Sequence, residues 1–208
     1  LQDEATVLGS LTYAELAARA RVVARGLITR DVTPGDRVAL MLPTGIDYFI
    51  AFFAILYAGA IPVPIYPPMR LSQIEDHLRR QIGILRNAGA CLLITMPEGL
   101  RLAGLLRAQV ESLNAVEGVA HLVDASTPPV NLPQPDNSDS VALIQYTSGS
   151  TGDPKGVVLS HANLLANIRA MGGVMEASSA DIFVSWLPLY HDMGLIGSWL
   201  FTMASAYP

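Results

Sequence analysis

The stretch Tyr146–His161 reads YTSGSTGDPKGVVLSH and is entered from the apolar run VALIQ, Val141–Gln145. Every position from 147 to 152 is Gly, Ser or Thr, and one lysine, Lys155, follows. An apolar run on each side predicts a strand, a loop and a second strand. Glycines let backbone N–H groups converge on one point, and hydroxyls add donors there. Such a concavity suits a phosphate chain, with the lysine at its rim. The loop is not a G-x-x-x-x-G-K-[ST] loop. Counted from Gly149, the second glycine position holds Pro154, and Gly156 rather than Ser or Thr follows Lys155. The dinucleotide pattern G-x-G-x-x-G is absent too. The same composition also suits a plain surface loop or hairpin tip, because Gly and Ser are ordinary turn residues.

Upstream, helical and strand patterns alternate. Thr12 and Glu15 form a T-x-x-E capping box, and Leu16, Ala20, Val23 and Leu27 then recur on one helical face. A Pro34-Gly35-Asp36 turn leads to the apolar run Val38–Leu42, and a helix over 45–58 closes at Gly59. The run IPVPI, Ile61–Ile65, is extended, with two prolines that suit a sheet edge or a strand end. Ser72 and Glu75 make a second box, for a helix ending at Gly89. Cys91–Thr95 predicts a buried strand, 98–113 a helix, and Val119–Asp124 a further strand. After the loop, Ser160 predicts the cap of a helix over 162–175. Strands that are apolar throughout and alternate with helices predict an α/β fold, a parallel-rich sheet covered by helices. Residues 1–125 form the first α/β portion and 126–140 a Pro/Asp/Ser-rich connector. Residues 141–208 carry the loop and begin a second subdomain.

Composition excludes several classes. The net charge is -5, and no Lys/Arg cluster exists to neutralise nucleic-acid phosphates. Tyr48–Tyr66 contains no charged residue, but Gly59, Pro62 and Pro64 interrupt it before a membrane-spanning length of about 20 residues is reached. One cysteine, Cys91, permits no internal disulfide, and no signal peptide is visible after Leu1; both fit a cytoplasmic location. His77 and His121 have no partner at metal-ligand spacing. The chain is 51% hydrophobic and only 15% charged, against about 25% for a typical soluble domain. That balance suits a buried-sheet protein or part of something larger.

TSGSTGDPKG closely resembles the phosphate-binding signature of adenylate-forming enzymes, the superfamily of acyl-CoA synthetases, luciferases and peptide-synthetase adenylation domains. Three other segments resemble the family in the expected order: LTYAEL (Leu11–Leu16), LYAGAIPVPIYPP (Leu56–Pro68) and PLYHDMGLIG (Pro188–Gly197). The YPP and HDMGL wording is most similar to fatty acyl-AMP ligases and their acyl-ACP synthetase relatives. The resemblance implies the front portion of the large N-terminal domain of such an enzyme. It also implies a reaction in which a fatty or other carboxylic acid attacks the α-phosphate of ATP, giving acyl-AMP and pyrophosphate, with CoA or an acyl carrier protein as acyl acceptor. By the family pattern, Thr147, Ser148, Gly149, Ser150, Thr151 and Gly152 wrap the β- and γ-phosphates, and Lys155 offsets charge on the leaving pyrophosphate. An amino-acid adenylation domain, a non-catalytic module docking carrier protein and, on the apolar runs alone, a membrane-interfacial scaffold are the alternatives.

His191 reads as a structural hydrogen-bonder or, by the resemblance, as a donor at the junction of acyl group and adenylate. Asp192 reads as the cap of the following helix. Trp186, Trp199, Phe183, Tyr190 and Phe201 suit either core or the wall of an acyl tunnel. Family segments for the magnesium-binding acidic residue, the ribose aspartate, the hinge and the C-terminal lysine have no match here. The expectation is therefore that Mg2+ is held by residues outside these 208, and that this piece alone is inactive without the remainder of its chain.

Overall fold

The structure is a computed structural model describing residues 2–3, 6–7, 9–67, 74–123, 131–133, 137–147, 154–176, 178 and 180–205; for 2–3, 6–7 and 74 only the backbone is described. A short hairpin, β1 (Gln2–Asp3) and β2 (Thr6–Val7), precedes the first helix, α1 (Tyr13–Ile28). Thr12 caps α1 as its spacing to Glu15 predicts: the Glu15 N–H donates to Thr12 Oγ1, and the Thr12 N–H donates to the Glu15 carboxylate at 2.8 Å.

Four parallel strands form the central sheet: β3 (Arg37–Met41), β4 (Ile61–Pro64), β5 (Leu92–Thr95) and β6 (Ala115–Glu117), in the order β4-β3-β5-β6. Helices α2 (Ile46–Tyr57) and α3 (Ile74–Ala88) link the first three strands. Side chains alternate across β3 and β5, so each strand feeds two cores. Val38, Leu40, Leu92 and Ile94 join α1 and α2 on one face. Ala39, Met41 and Leu93 join Ile84, Leu85 and Leu106 on the other. Both faces are covered, which is why these strands read as unbroken apolar runs.

The prolines of β4 fit because of its position. Ile61 and Ile65 donate their N–H groups to β3 and its flank, at Asp36 O and Leu40 O. The intervening Pro62 and Pro64, which have no N–H, fall on the outward side of an edge strand. Gly59 and Gly89 end their helices at φ +71 and +59, as stop signals should.

Two expectations are corrected. The helix over 98–113 is two pieces, α4 (Pro97–Leu100) and α5 (Ala103–Gln109). The strand expected at Val119–Asp124 is displaced: the strand is β6, and Val119–Leu122 is a helical turn, α6. Val119 and Leu122 are buried three residues apart, a helical spacing, and α6 presses on α1 so closely that a Cβ on Gly26 would stand 2.0 Å from the Leu122 carbonyl oxygen. Ser72 and most of the connector (126–130 and 134–136) lie outside the described residues.

The second half builds a hairpin, β7 (Val141–Thr147) and β8 (Lys155–Ser160), followed by α7 (His161–Met175). Ser160 caps α7: the Asn163 N–H donates to Ser160 Oγ, and Asn163 Oδ1 accepts from the Ser160 N–H. A segment without helix or strand over 181–188 leads to a π-helix, Met193–Leu200, which continues into α8 (Phe201–Ala204). No helix among the described residues is long and apolar enough to cross a membrane.

Candidate active site

The hairpin brings two of the sequence-predicted residues face to face. Thr147 and Lys155 are its last cross-strand pair, a spacing of about 4.5–5.5 Å between Cα atoms. The Gly/Ser/Thr loop therefore leaves and re-enters the sheet at one point, with Lys155 exposed there and forming no ion pair among the described residues. Ser148, Gly149, Ser150, Thr151 and Gly152 lie outside the described residues.

The root of the hairpin is pinned from below. Tyr146 donates its hydroxyl to Asn87 Oδ1 of α3 at 2.5 Å, and burial raises the pKa of that phenol. Gly156, opposite Tyr146 in the register, makes room for the ring; a Cβ there would stand 3.0 Å from it and 2.9 Å from Ile144. Pro154 rests over Gly83 of α3. These contacts give the glycine after Lys155 a packing role beside its place in the loop.

His191 sits in a turn between segment 181–188 and the π-helix. Its Nδ1 lies 2.7 Å from Asp192 Oδ1, which also accepts from the Met193 N–H and so caps the π-helix, as the sequence suggests. Asp192 thus orients the imidazole and leaves Nε2 facing away. Gly194 permits the close turn; a Cβ there would meet the Pro188 carbonyl oxygen at 2.2 Å. The backbone just before His191 is held by side chains. The Leu189 N–H donates to Thr44 Oγ1 at 3.2 Å, Tyr48 donates its hydroxyl to Leu189 O at 2.8 Å, and Gln145 Nε2 donates to Tyr190 O at 3.0 Å.

Beside this turn runs a groove of about 670 Å³ between α7 and the π-helix, lined by Asn167, Met171, Asp192, Met193, Ile196 and Gly197 among others. Sequence reasoning passed over its α7 wall, although Asn163, Asn167 and Met171 recur every fourth residue. The aromatic residues divide. Trp199 packs among Phe49, Phe52 and Phe53 at centroid distances of 4.7–5.3 Å and belongs to the core. Phe201 is buried against Phe183, Tyr190 faces Tyr66, and Trp186 is exposed. None of the five appears in the wall of that groove.

Other ionisable groups offer less chemistry. Burial and the nearby Asp36 push the Cys91 thiol up to about 11, which disfavours the thiolate. Glu117 is shared between Arg30 at 2.8 Å and His121 at 3.4 Å, an ordinary ion-pair cluster. No group of three His, Cys, Asp or Glu residues converges for a metal among the described residues. A second cavity, about 460 Å³, lies at the carboxyl ends of β3, β5 and β6 between Leu42, Asp47, Thr95 and His121; none of its walls belongs to the hairpin or to the His191 turn.

Comparison with known proteins fixes the family. The long-chain-fatty-acid–AMP ligase FadD32 of Mycolicibacterium smegmatis is 38% identical, over 95% of this chain and 31% of its own length. The medium-chain-fatty-acid–[acyl-carrier-protein] ligase JamA of Moorena producens is 32% identical, over 100% of this chain and 35% of its own. Among solved structures, the fatty acyl-adenylate ligase from L. pneumophila in complex with acyl adenylate and pyrophosphate matches with a TM-score of 0.82 and 32% identity, over 100% of this chain and 35% of that one. The chain thus spans about a third of the length of these relatives. The profile of the AMP-binding enzymes matches residues 2–207, and the chain belongs to that family.

Proposed function

We propose that the protein carrying this chain activates a fatty acid. A carboxylate oxygen attacks the α-phosphorus of ATP, the bond to the β-phosphate's bridging oxygen breaks, and acyl-AMP and pyrophosphate result. The thiol of CoA or of an acyl carrier protein then attacks the acyl carbon, forming a thioester and releasing AMP and the thiol proton. The observation that carries this reading is the Thr147–Lys155 pair, which places the exposed Lys155 where the Gly/Ser/Thr segment leaves and re-enters the hairpin. Fatty-acid ligases among the relatives support the substrate class.

Each residue then has a role. Thr147 and the backbone of Ser148, Gly149, Ser150, Thr151 and Gly152 hold the β- and γ-phosphates, and Lys155 offsets the charge that builds on pyrophosphate as it leaves. His191, held through Nδ1 by the Asp192 carboxylate, donates from Nε2 at the carboxylate–phosphate junction when its ring carries both protons. The groove walled by Met171, Met193 and Ile196 takes the acyl chain. Magnesium accompanies ATP in this reading and lowers the repulsion met by the incoming carboxylate. By the same resemblance its protein ligands lie outside these 208 residues. The reaction belongs in the cytoplasm, where ATP and both acceptors are supplied.

The exposed apolar side chains of β8, α7 and residues 181–187 are covered, in the same reading, by the rest of the protein. This chain alone is accordingly inactive. The test is fatty-acid-dependent exchange of labelled pyrophosphate into ATP. The full-length protein should exchange, Lys155→Ala should slow it by about 10²–10³-fold as loss of a charge stabiliser does, and residues 1–208 alone should not exchange. A full-length protein without exchange, or an unimpaired Lys155→Ala, would overturn the reading.

A further inference from the structure

We infer that Gln145 is a positioning residue for the proposed adenylation, tying the strand that carries the phosphate loop to the carbonyl immediately before His191. The inference rests on the reading above for its chemistry, but its geometry stands apart from that reading.

Gln145 is two residues from Thr147 in β7 and only 6% exposed. It shares a strand face with Leu143, which is core. An apolar side chain would fill such a place without the cost of burying an amide group left unpaired. The amide is in fact only half used. Nε2 donates to Tyr190 O at 3.0 Å, while Oε1 is buried with no partner among the described residues. A residue kept for packing has no need of either atom. What Gln145 adds to the site is the one bond to Tyr190.

That bond completes a clamp. Three polar backbone groups of two adjacent residues, Leu189 N–H, Leu189 C=O and Tyr190 C=O, are each satisfied by a side chain rather than by backbone. The three side chains come from separate places: Thr44 before α2, Tyr48 inside α2, and Gln145 in β7. Two of them fix the turn to the core. Among the described residues, Gln145 alone hydrogen-bonds it to the hairpin. It sets the distance from His191 to the loop opened by Thr147 and Lys155, and so the distance between a donor at the attacking carboxylate and the cradle of the leaving group. Displacing a reacting group by about 1 Å can cost about 10²-fold in rate.

The test uses the full-length protein with Gln145→Met, His191→Ala and the double variant, together with Thr44→Val. Thr44 is exposed, so its substitution loosens the same clamp with little risk to folding. Thermal midpoints confirm that each variant folds. Gln145→Met should lower kcat for acyl-AMP formation about tenfold while KM for ATP changes less than about twofold. In the His191→Ala background the same substitution should cost nothing further, because a positioning residue acts only through the residue it positions. Thr44→Val should repeat the pattern at smaller size. Losses that multiply in the double variant, or a wild-type Gln145→Met, would sink the proposal. A separate arm needs no activity: hydrogen exchange at the Leu189 and His191 amides should quicken in Gln145→Met while the Leu143 amide is unchanged. Unchanged exchange at all three refutes the tie whatever the enzyme does. Quickened exchange in a protein that forms no acyl-AMP would leave the tie standing and refute the proposed function instead.

Discussion

The two halves of the chain bury their apolar residues to very different degrees. Around β3–β6 the strands are covered on both faces, and Val38, Leu40, Phe52, Ile55 and Leu93 are fully buried. Around the hairpin and beyond, equally apolar side chains face outward: Val158 in β8, Val174 at 85% exposure in α7, and Ile182, Val184 and Trp186 at 76, 78 and 88%. The last three alternate with the partly buried Phe183 and Leu187 and with Ser185, whose hydroxyl donates to Ser198 Oγ at 3.1 Å. That two-residue period belongs to a strand, yet no described strand pairs with it. The first region is a closed core; the second leaves an apolar face exposed. The candidate catalytic residues sit on the seam between them, since Thr44 and Tyr48 of the closed part hold the turn that carries His191.

The largest expected effect lies in the closed part. Phe52 is fully buried, stacked on Tyr48 at 6.5 Å and edge-on to Trp199 at 5.3 Å. Phe52→Ala deletes most of that contact and should lower the unfolding free energy of the chain by about 3–5 kcal/mol. Urea unfolding measures it. A loss under about 1 kcal/mol would erase the distinction between the two halves.

Much of this architecture is legible in the sequence, and the parts that are not share a cause. Caps and stops are local: Thr12 with Glu15, Ser160, Gly59 and Gly89 each declare an element boundary within four residues. The buried strands β3 and β5 declare themselves as short apolar runs. Region 98–124 is misread because its pieces are too short for periodicity to separate three-residue from two-residue spacing at Val119 and Leu122. The site is half legible. Its loop, lysine and histidine stand out as residue types, but the clamp is invisible, because Thr44 and Tyr48 reach Leu189 across 145 and 141 positions of chain. The groove wall on α7 fails for the opposite reason: Asn167 and Met171 look like any helix surface until the π-helix is placed beside them.

A smaller effect connects the halves through protons. Burial lowers the pKa of His77, and the nearby Arg80 adds to it; burial likewise lowers that of His161 at the start of α7. In the unfolded chain a histidine titrates near about 6.5. As pH falls below that value the unfolded state takes up protons before the folded state does, so stability is full above it and declines below, until the folded groups titrate in turn. The thermal midpoint should therefore drop between pH 7.5 and 5.5. His77→Gln, which removes one titrating group from the α3 side, should reduce the drop, and His161→Gln should do so independently. A midpoint that rises on acidification contradicts both assignments.

The smallest effect on folding discriminates best between a closed surface and an interface. Trp186 makes so little contact that Trp186→Ser in residues 1–208 should change unfolding free energy by no more than about 0.5 kcal/mol, as surface substitutions do. It should still reduce self-association of the isolated chain, read by sedimentation, because an exposed indole flanked by Ile182 and Val184 is what one copy offers another. In the full-length protein the expected cost is larger. If the remaining two thirds of the relatives' length packs on this face, the same substitution opens a cavity and should cost about 3 kcal/mol or more, on the scale of a buried tryptophan. Equal, negligible costs in the two contexts would mean that nothing covers Trp186, and that the exposed alternation over 182–186 is ordinary surface.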